Sequence, residues 1–140
     1  MSALSRLTAL VRLVLGALFL YAVATKLPDV RAFADEVANY RLLPAALVPA
    51  AAVWVIGVEL LAGALLVLGK AGWRGAALTL TGLLIVFTLG ISQALLRGID
   101  LRCGCFGEPE PASWWTVGRD VVMLAGAALV LVRGPGRLRG

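Results

Sequence analysis

Histidine is absent from this 140-residue chain, cysteine occurs twice, and charged residues make up only 15% of it. Without histidine the chain has neither the usual proton shuttle at neutral pH nor the commonest metal ligand. With two cysteines it can hold one disulfide and no larger framework. With so few charges, 61% hydrophobic residues and a mean hydropathy of +0.94, it is too apolar for an ordinary soluble domain. It also contains no internal repeat and no low-complexity linker.

Long apolar runs dominate what remains. A helix needs about 20 apolar residues to cross a bilayer. Stretches near 7–26, 46–68, 75–95 and 114–132 meet that requirement and leave too little chain for a second domain. The expectation is one all-α, polytopic four-helix membrane bundle. A competing pattern is a cleaved signal peptide, with Arg6 and Arg12 before Leu13–Tyr21 and then Ala22-Val23-Ala24. Cleavage would leave three spans; the expectation keeps four.

The formal charge of +5 could suggest nucleic acid, but its placement points to a membrane. If both termini are cytoplasmic, the inner side carries Arg6, Arg12, Lys70, Arg74, Arg133, Arg137 and Arg139 and no acid. The outer loops mix Lys26, Arg31, Arg41, Arg97 and Arg102 with Asp29, Asp35, Glu36, Asp100, Glu108 and Glu110. Positive-inside asymmetry therefore predicts an N-in, C-in bundle in a cytoplasmic membrane, with no nucleic-acid partner. The Arg-rich tail suits anionic lipid.

Punctuation refines the layout. Pro28 stops the first helix, and Asp29 can cap a second, shorter one. Val30, Phe33, Val37 and Tyr40 recur at helical spacing within 30–43, which predicts a short amphipathic helix on the outer surface. Pro44 and Pro49 mark entry to the second span. The short Lys70–Arg74 turn makes the second and third spans antiparallel neighbours. Small residues at Ala52, Gly57, Gly63, Gly82, Gly90, Gly118 and Gly126 favour close helix approach. Trp114 and Trp115 fit an interfacial aromatic belt.

Cys103-Gly104-Cys105-Phe106-Gly107 lies in a polar loop between the last two spans. A C-x-C disulfide closes a small ring, whereas ordinary disulfides favour Cα separations of about 5.5–6 Å. Gly104 supplies backbone freedom. A strained, exposed disulfide is labile and oxidising, which suits exchange, and so short a loop constrains little chain entropy. A passive clamp and a two-thiolate Cu(I) site stay open; zinc would need more ligands than the loop readily offers.

Polar residues inside the spans are the other candidates. Glu59 in the second span reads as a proton carrier, a hydrogen-bond partner for a quinone, or an interhelical tie. Adjacent Arg119 and Asp120 would take different partners, with Arg119 facing the bundle on a line with Met123 and Gly126, as an ion-pair lock or a thiolate-tuning cation. Thr81, Thr88 and Ser92 form a polar stripe with Gln93 at its end, for interhelical hydrogen bonds or a small cofactor pocket. Lys26 reads first as a snorkelling interfacial anchor, and second as a partner of Asp120 or Glu59.

Several motifs appear in order along nearly the whole chain. They are Lys26-Leu27, then Phe33 and Val37 leading to Tyr40-Arg41-Leu42-Leu43-Pro44, then Glu59-Leu60 with Gly63, Arg97-Gly98-Ile99-Asp100 before the Cys loop, and Trp114 leading to Arg119-Asp120. In these the chain resembles the MauE family of methylamine-utilisation membrane proteins, within the DoxX-like group. The resemblance implies a four-helix membrane protein linked to disulfide formation in exported proteins and associated with thioredoxin-like partners. The resulting expectation is a membrane thiol–disulfide oxidoreductase working through Cys103 and Cys105, with a quinone near Arg119, Ser92 and Gln93 as its second carrier. An anchor or assembly factor for a thioredoxin-like partner and a Cu(I)-handling protein are the alternatives.

Overall fold

The computed structural model describes residues 3–99 and 113–135, and every described element is helical. Helix α1 spans Ala3–Lys26, α2 Val30–Asn39, α3 Val48–Leu68, α4 Trp73–Leu96 and α5 Trp114–Arg133. Four of them, α1, α3, α4 and α5, are long and apolar enough to cross a membrane. They close a ring in which α1 and α4 each pack against both α3 and α5, while α2 rests on α3. The core is apolar, with Leu66, Leu80, Ile91 and Val130 fully buried. The exterior is apolar too: Trp54, Leu61, Leu89 and Val122 are mostly exposed. A surface of that kind matches hydrocarbon rather than water.

Local chemistry sets the boundaries. A 3-10 turn at Leu27–Asp29 comes after α1, and Asp29 Oδ1 accepts the Ala32 N–H at 3.0 Å to start α2. The apolar face expected of α2 is present, with Phe33 and Tyr40 buried. The helix stops at Asn39, earlier than the spacing suggests, because Arg41 adopts a left-handed φ of 56°. Its apolar face packs on α3 instead of lying free in an interface. Of the signal-like site Ala22-Val23-Ala24, Ala22 and Val23 are buried and Ala24 is exposed, all within a continuous α1.

Helix α4 ends in a Schellman motif. Gly98 takes a left-handed φ of 72°, its N–H donates to Leu95 O at 3.2 Å, and the Ile99 N–H donates to Ala94 O at 2.9 Å. Ile99 is thereby turned back and buried with Tyr40, Ile91 and Ala94, with Val117 of α5 against them. This cluster marks the end of the bundle from which residues 100–112 connect α4 to α5.

At the opposite end Arg12 is buried. Its Nε donates to Pro135 O at 2.8 Å, and its Nη1 donates to Leu66 O and, at 3.1 Å, to Val67 O. The last carbonyls of a helix lack intrahelical partners and carry its negative pole, which a cation satisfies. Arg12 is therefore an interior clasp joining α1, α3 and the end of α5. It does not belong with the loop charges, a distinction that counting cations by segment misses.

Candidate functional site

Glycine brings α1 and α3 together. A Cβ on Gly16 would stand 2.7 Å from Val67 Cγ2 and 2.9 Å from Gly63 O, and one on Gly63 would stand 3.1 Å from Gly16 O. Gly63 is among the small residues expected at such a contact; Gly16 is not. Gly90 and Gly126 also meet neighbours, Tyr40 and Val11 respectively, whereas Gly57, Gly82 and Gly118 face open space. The small residues therefore divide between packing sites and the outer surface.

The close α1–α3 crossing lets Lys26 reach Glu59. Lys26 Nζ donates to Glu59 Oε1 at 2.9 Å and to Oε2 at 2.7 Å, with side chains 2% and 1% exposed. The same ammonium lies 4.7 Å from the centroid of the Phe33 ring. The snorkelling reading of Lys26 is corrected: with a carboxylate in reach and water excluded, pairing outweighs extension to the interface. Glu59 faces the interior, as expected of a carboxylate in hydrocarbon.

On α5 the buried stripe is Thr116, Asp120, Met123, Ala127 and Val130. The acid of the Arg119-Asp120 pair is thus the inward residue, 1% exposed, while the Arg119 side chain is 24% exposed. Arg119, on a line with buried Met123 and with Gly126 against α1, is partly turned inward with its Nε buried, and lies about 100° around the helix from Asp120. The two also approach each other, Arg119 Nη2 to Asp120 Oδ1 at 3.6 Å, because a long arginine can fold back on its neighbour.

The α4 stripe does not behave as one unit. Thr81 Oγ1 donates to Ala77 O at 2.7 Å within its own helix, so its expected interhelical bond is absent. Thr88 Oγ1 finds no hydrogen-bond partner among the described residues, and Ser92 is half-buried. Gln93 latches the loop end. Its Nε2 donates to Tyr40 O at 3.1 Å and to Gly90 O at 2.9 Å, and its Oε1 accepts from Arg97 Nη1 at 2.9 Å. Ser113 N–H donates to Thr116 Oγ1 at 3.2 Å, starting α5 beside the same cluster. Cys103 and Cys105 lie outside the described residues, and the redox, clamp and Cu(I) readings of them lie there too.

The chain matches the family described as "Methylamine utilisation protein MauE" over residues 4–133. The chain belongs to the MauE family. A relative in Paracoccus denitrificans, named methylamine utilization protein MauE, is 36% identical over 128 residues, covering 88% of this chain and 67% of the relative. No solved structure matches it. Together with its four apolar helices, membership in MauE makes this a multi-pass membrane protein. The residues that carried the MauE resemblance now have physical roles. Lys26 and Glu59 form the buried pair, Gly63 floors the α1–α3 crossing, Tyr40 accepts from Gln93, and Gly98-Ile99 closes α4.

Proposed function

We propose that this MauE-family protein is a membrane thiol–disulfide oxidoreductase acting through Cys103 and Cys105. The observation that carries this reading is the placement of the chain's only cysteines, one residue apart, on the connection between α4 and α5. Both ends of that connection start from a packed, latched cluster. A thiolate of an exported or thioredoxin-like protein attacks one sulfur of the Cys103–Cys105 disulfide. That S–S bond breaks, a mixed disulfide forms, and the other cysteine leaves as thiolate. A second thiolate of the same partner then attacks the partner's sulfur in the mixed disulfide. Two electrons pass to the cysteine pair, and the partner carries the new disulfide. The reverse sequence runs when the partner's potential favours it. Arg119, in the second turn of α5, supplies positive charge toward this end of the bundle. The Paracoccus denitrificans relative is named for methylamine utilisation, so exported proteins of that process are the first clients to test.

A second reading is an assembly factor that docks a thioredoxin-like partner without relaying electrons. The bonding of Lys26, Glu59 and Gln93 favours it, since each is already tied to another helix or segment. A trapping experiment decides between them. In a Cys105→Ser variant in native membranes, quenched with acid and alkylated, the Cys103 thiolate attacks the disulfide of an oxidised partner, as in the reverse sequence, and the unresolved mixed disulfide should accumulate as a reducible covalent adduct. The adduct should vanish in the Cys103→Ser/Cys105→Ser double variant. Absence of any adduct, with the partner still co-purifying, supports the assembly factor.

A further inference from the structure

We propose that the groove between α1 and α5 binds one anionic phospholipid, with its headgroup phosphate on Arg119 and an acyl chain along Leu18 and Val122. The groove has a volume of about 530 Å³, within the range of roughly 300–1,000 Å³ that small-molecule sites occupy. Leu18 and Tyr21 form its α1 wall, and Trp115, Val122 and Met123 its α5 wall. Trp115 and Val122 are among the most exposed side chains in the molecule, so the groove opens to the surrounding lipid.

Arg119 is the charged residue in this apolar lining. It lies five residues past Trp114, about 7.5 Å along the helix axis. That depth is below the tryptophan belt and within reach of a headgroup drawn slightly inward. Asp120 is buried behind it, with its Oδ1 3.6 Å from Arg119 Nη2, while the Arg119 side chain is 24% exposed and lines the groove. A guanidinium donates charge-assisted hydrogen bonds to phosphate oxygens, and the net negative charge of a glycerol headgroup favours it where a choline cancels that charge. Tyr21 and Trp115 add amphipathic rings to the lining beside Arg119. Gly118 lies between these residues, and a Cβ there would meet nothing within 4 Å. Its missing side chain leaves the groove open, so a larger residue would fill the groove without colliding with the fold.

Full-length protein would be reconstituted in vesicles containing equal amounts of phosphatidylglycerol and phosphatidylcholine. It would then be extracted in mild detergent and weighed by native mass spectrometry. The wild type should retain one phosphatidylglycerol in preference to phosphatidylcholine. Arg119→Gln should lower that preference roughly tenfold, the scale of one lost charge-assisted hydrogen bond. Gly118→Leu should abolish retention of both lipids while its circular-dichroism melting curve stays that of wild type. Equal retention of the two lipids by wild type overturns the proposal. So does a preference that survives Arg119→Gln, or retention of an isoprenoid quinone in place of phospholipid. If Gly118→Leu fails to fold, the Arg119→Gln comparison still decides. None of these readouts depends on thiol chemistry.

Discussion

Lys26 and Glu59 carry opposite charges where water cannot screen them, so each is tolerable only because of the other. Removing one member of a buried pair costs about 3–5 kcal/mol, because the survivor stays charged and unsolvated. Glu59→Leu should therefore destabilise the bundle by that amount in denaturant titrations of detergent-solubilised protein. Lys26→Met/Glu59→Leu should recover most of the loss, since an apolar replacement of the whole pair leaves nothing stranded. A double variant as unstable as the single one would show that the ion pair supplies net stability of its own. Glu59→Gln keeps the volume and an acceptor oxygen, and should fold with a smaller loss. If Glu59 also carries protons, this variant loses exchange activity and the activity's pH profile changes. Full activity with an unchanged profile reduces Glu59 to a structural tie. Phe33 adds a smaller contribution: its ring, 4.7 Å from the ammonium, is worth up to about 2 kcal/mol when desolvated.

The pair exists because two helices approach closely, and that approach depends on glycine. Gly16→Ala would push a methyl into Val67 and the Gly63 carbonyl, and backbone cannot step aside as a side chain can. A loss of about 1–3 kcal/mol is expected, with part of it from loosening the Lys26–Glu59 contact. Gly57→Ala, on the same α3 but with an open Cβ position, should be neutral or slightly stabilising. Equal effects at the two positions in thermal unfolding would contradict the crossing geometry. The existence and extent of these helices were legible in apolar run length and in Pro28, Pro44 and Pro49. Their partners were not. Whether Arg119 or Asp120 turns inward, and whether Lys26 snorkels or pairs, depends on the rotation of one helix against another, which composition and spacing along one strand of sequence do not encode. Arg12 shows the same blindness: its charge was visible, but the carbonyls it binds come from residues 54, 55 and 123 positions away. The Cys pair was conspicuous by its scarcity and its one-residue spacing, and its geometry stays outside the described residues.

For the whole molecule, the antiparallel ring puts both described termini and the α3–α4 turn at one end and the α4–α5 connection at the other. Positive-inside asymmetry then predicts that Cys103 and Cys105 are extracytoplasmic. A membrane-impermeant thiol reagent added to intact cells after reduction should label them. Labelling only after the inner face is exposed would reverse the orientation. The pair should titrate in glutathione buffers as a relatively oxidising disulfide, and a potential below roughly −300 mV would mark it as structural instead. The Arg12 clasp bears on how such a molecule is built. Its three acceptors belong to Leu66, Val67 and Pro135, so they leave the ribosome long after Arg12 itself. Through synthesis of α1 and most of α3, α1 holds a guanidinium with no native acceptor, and it gains the Pro135 carbonyl only when α5 is complete. The Arg12 clasp can therefore close only after α5 has been made. A chain released short of Pro135 would present quality-control proteases with an ajar bundle and a half-satisfied arginine at its seam.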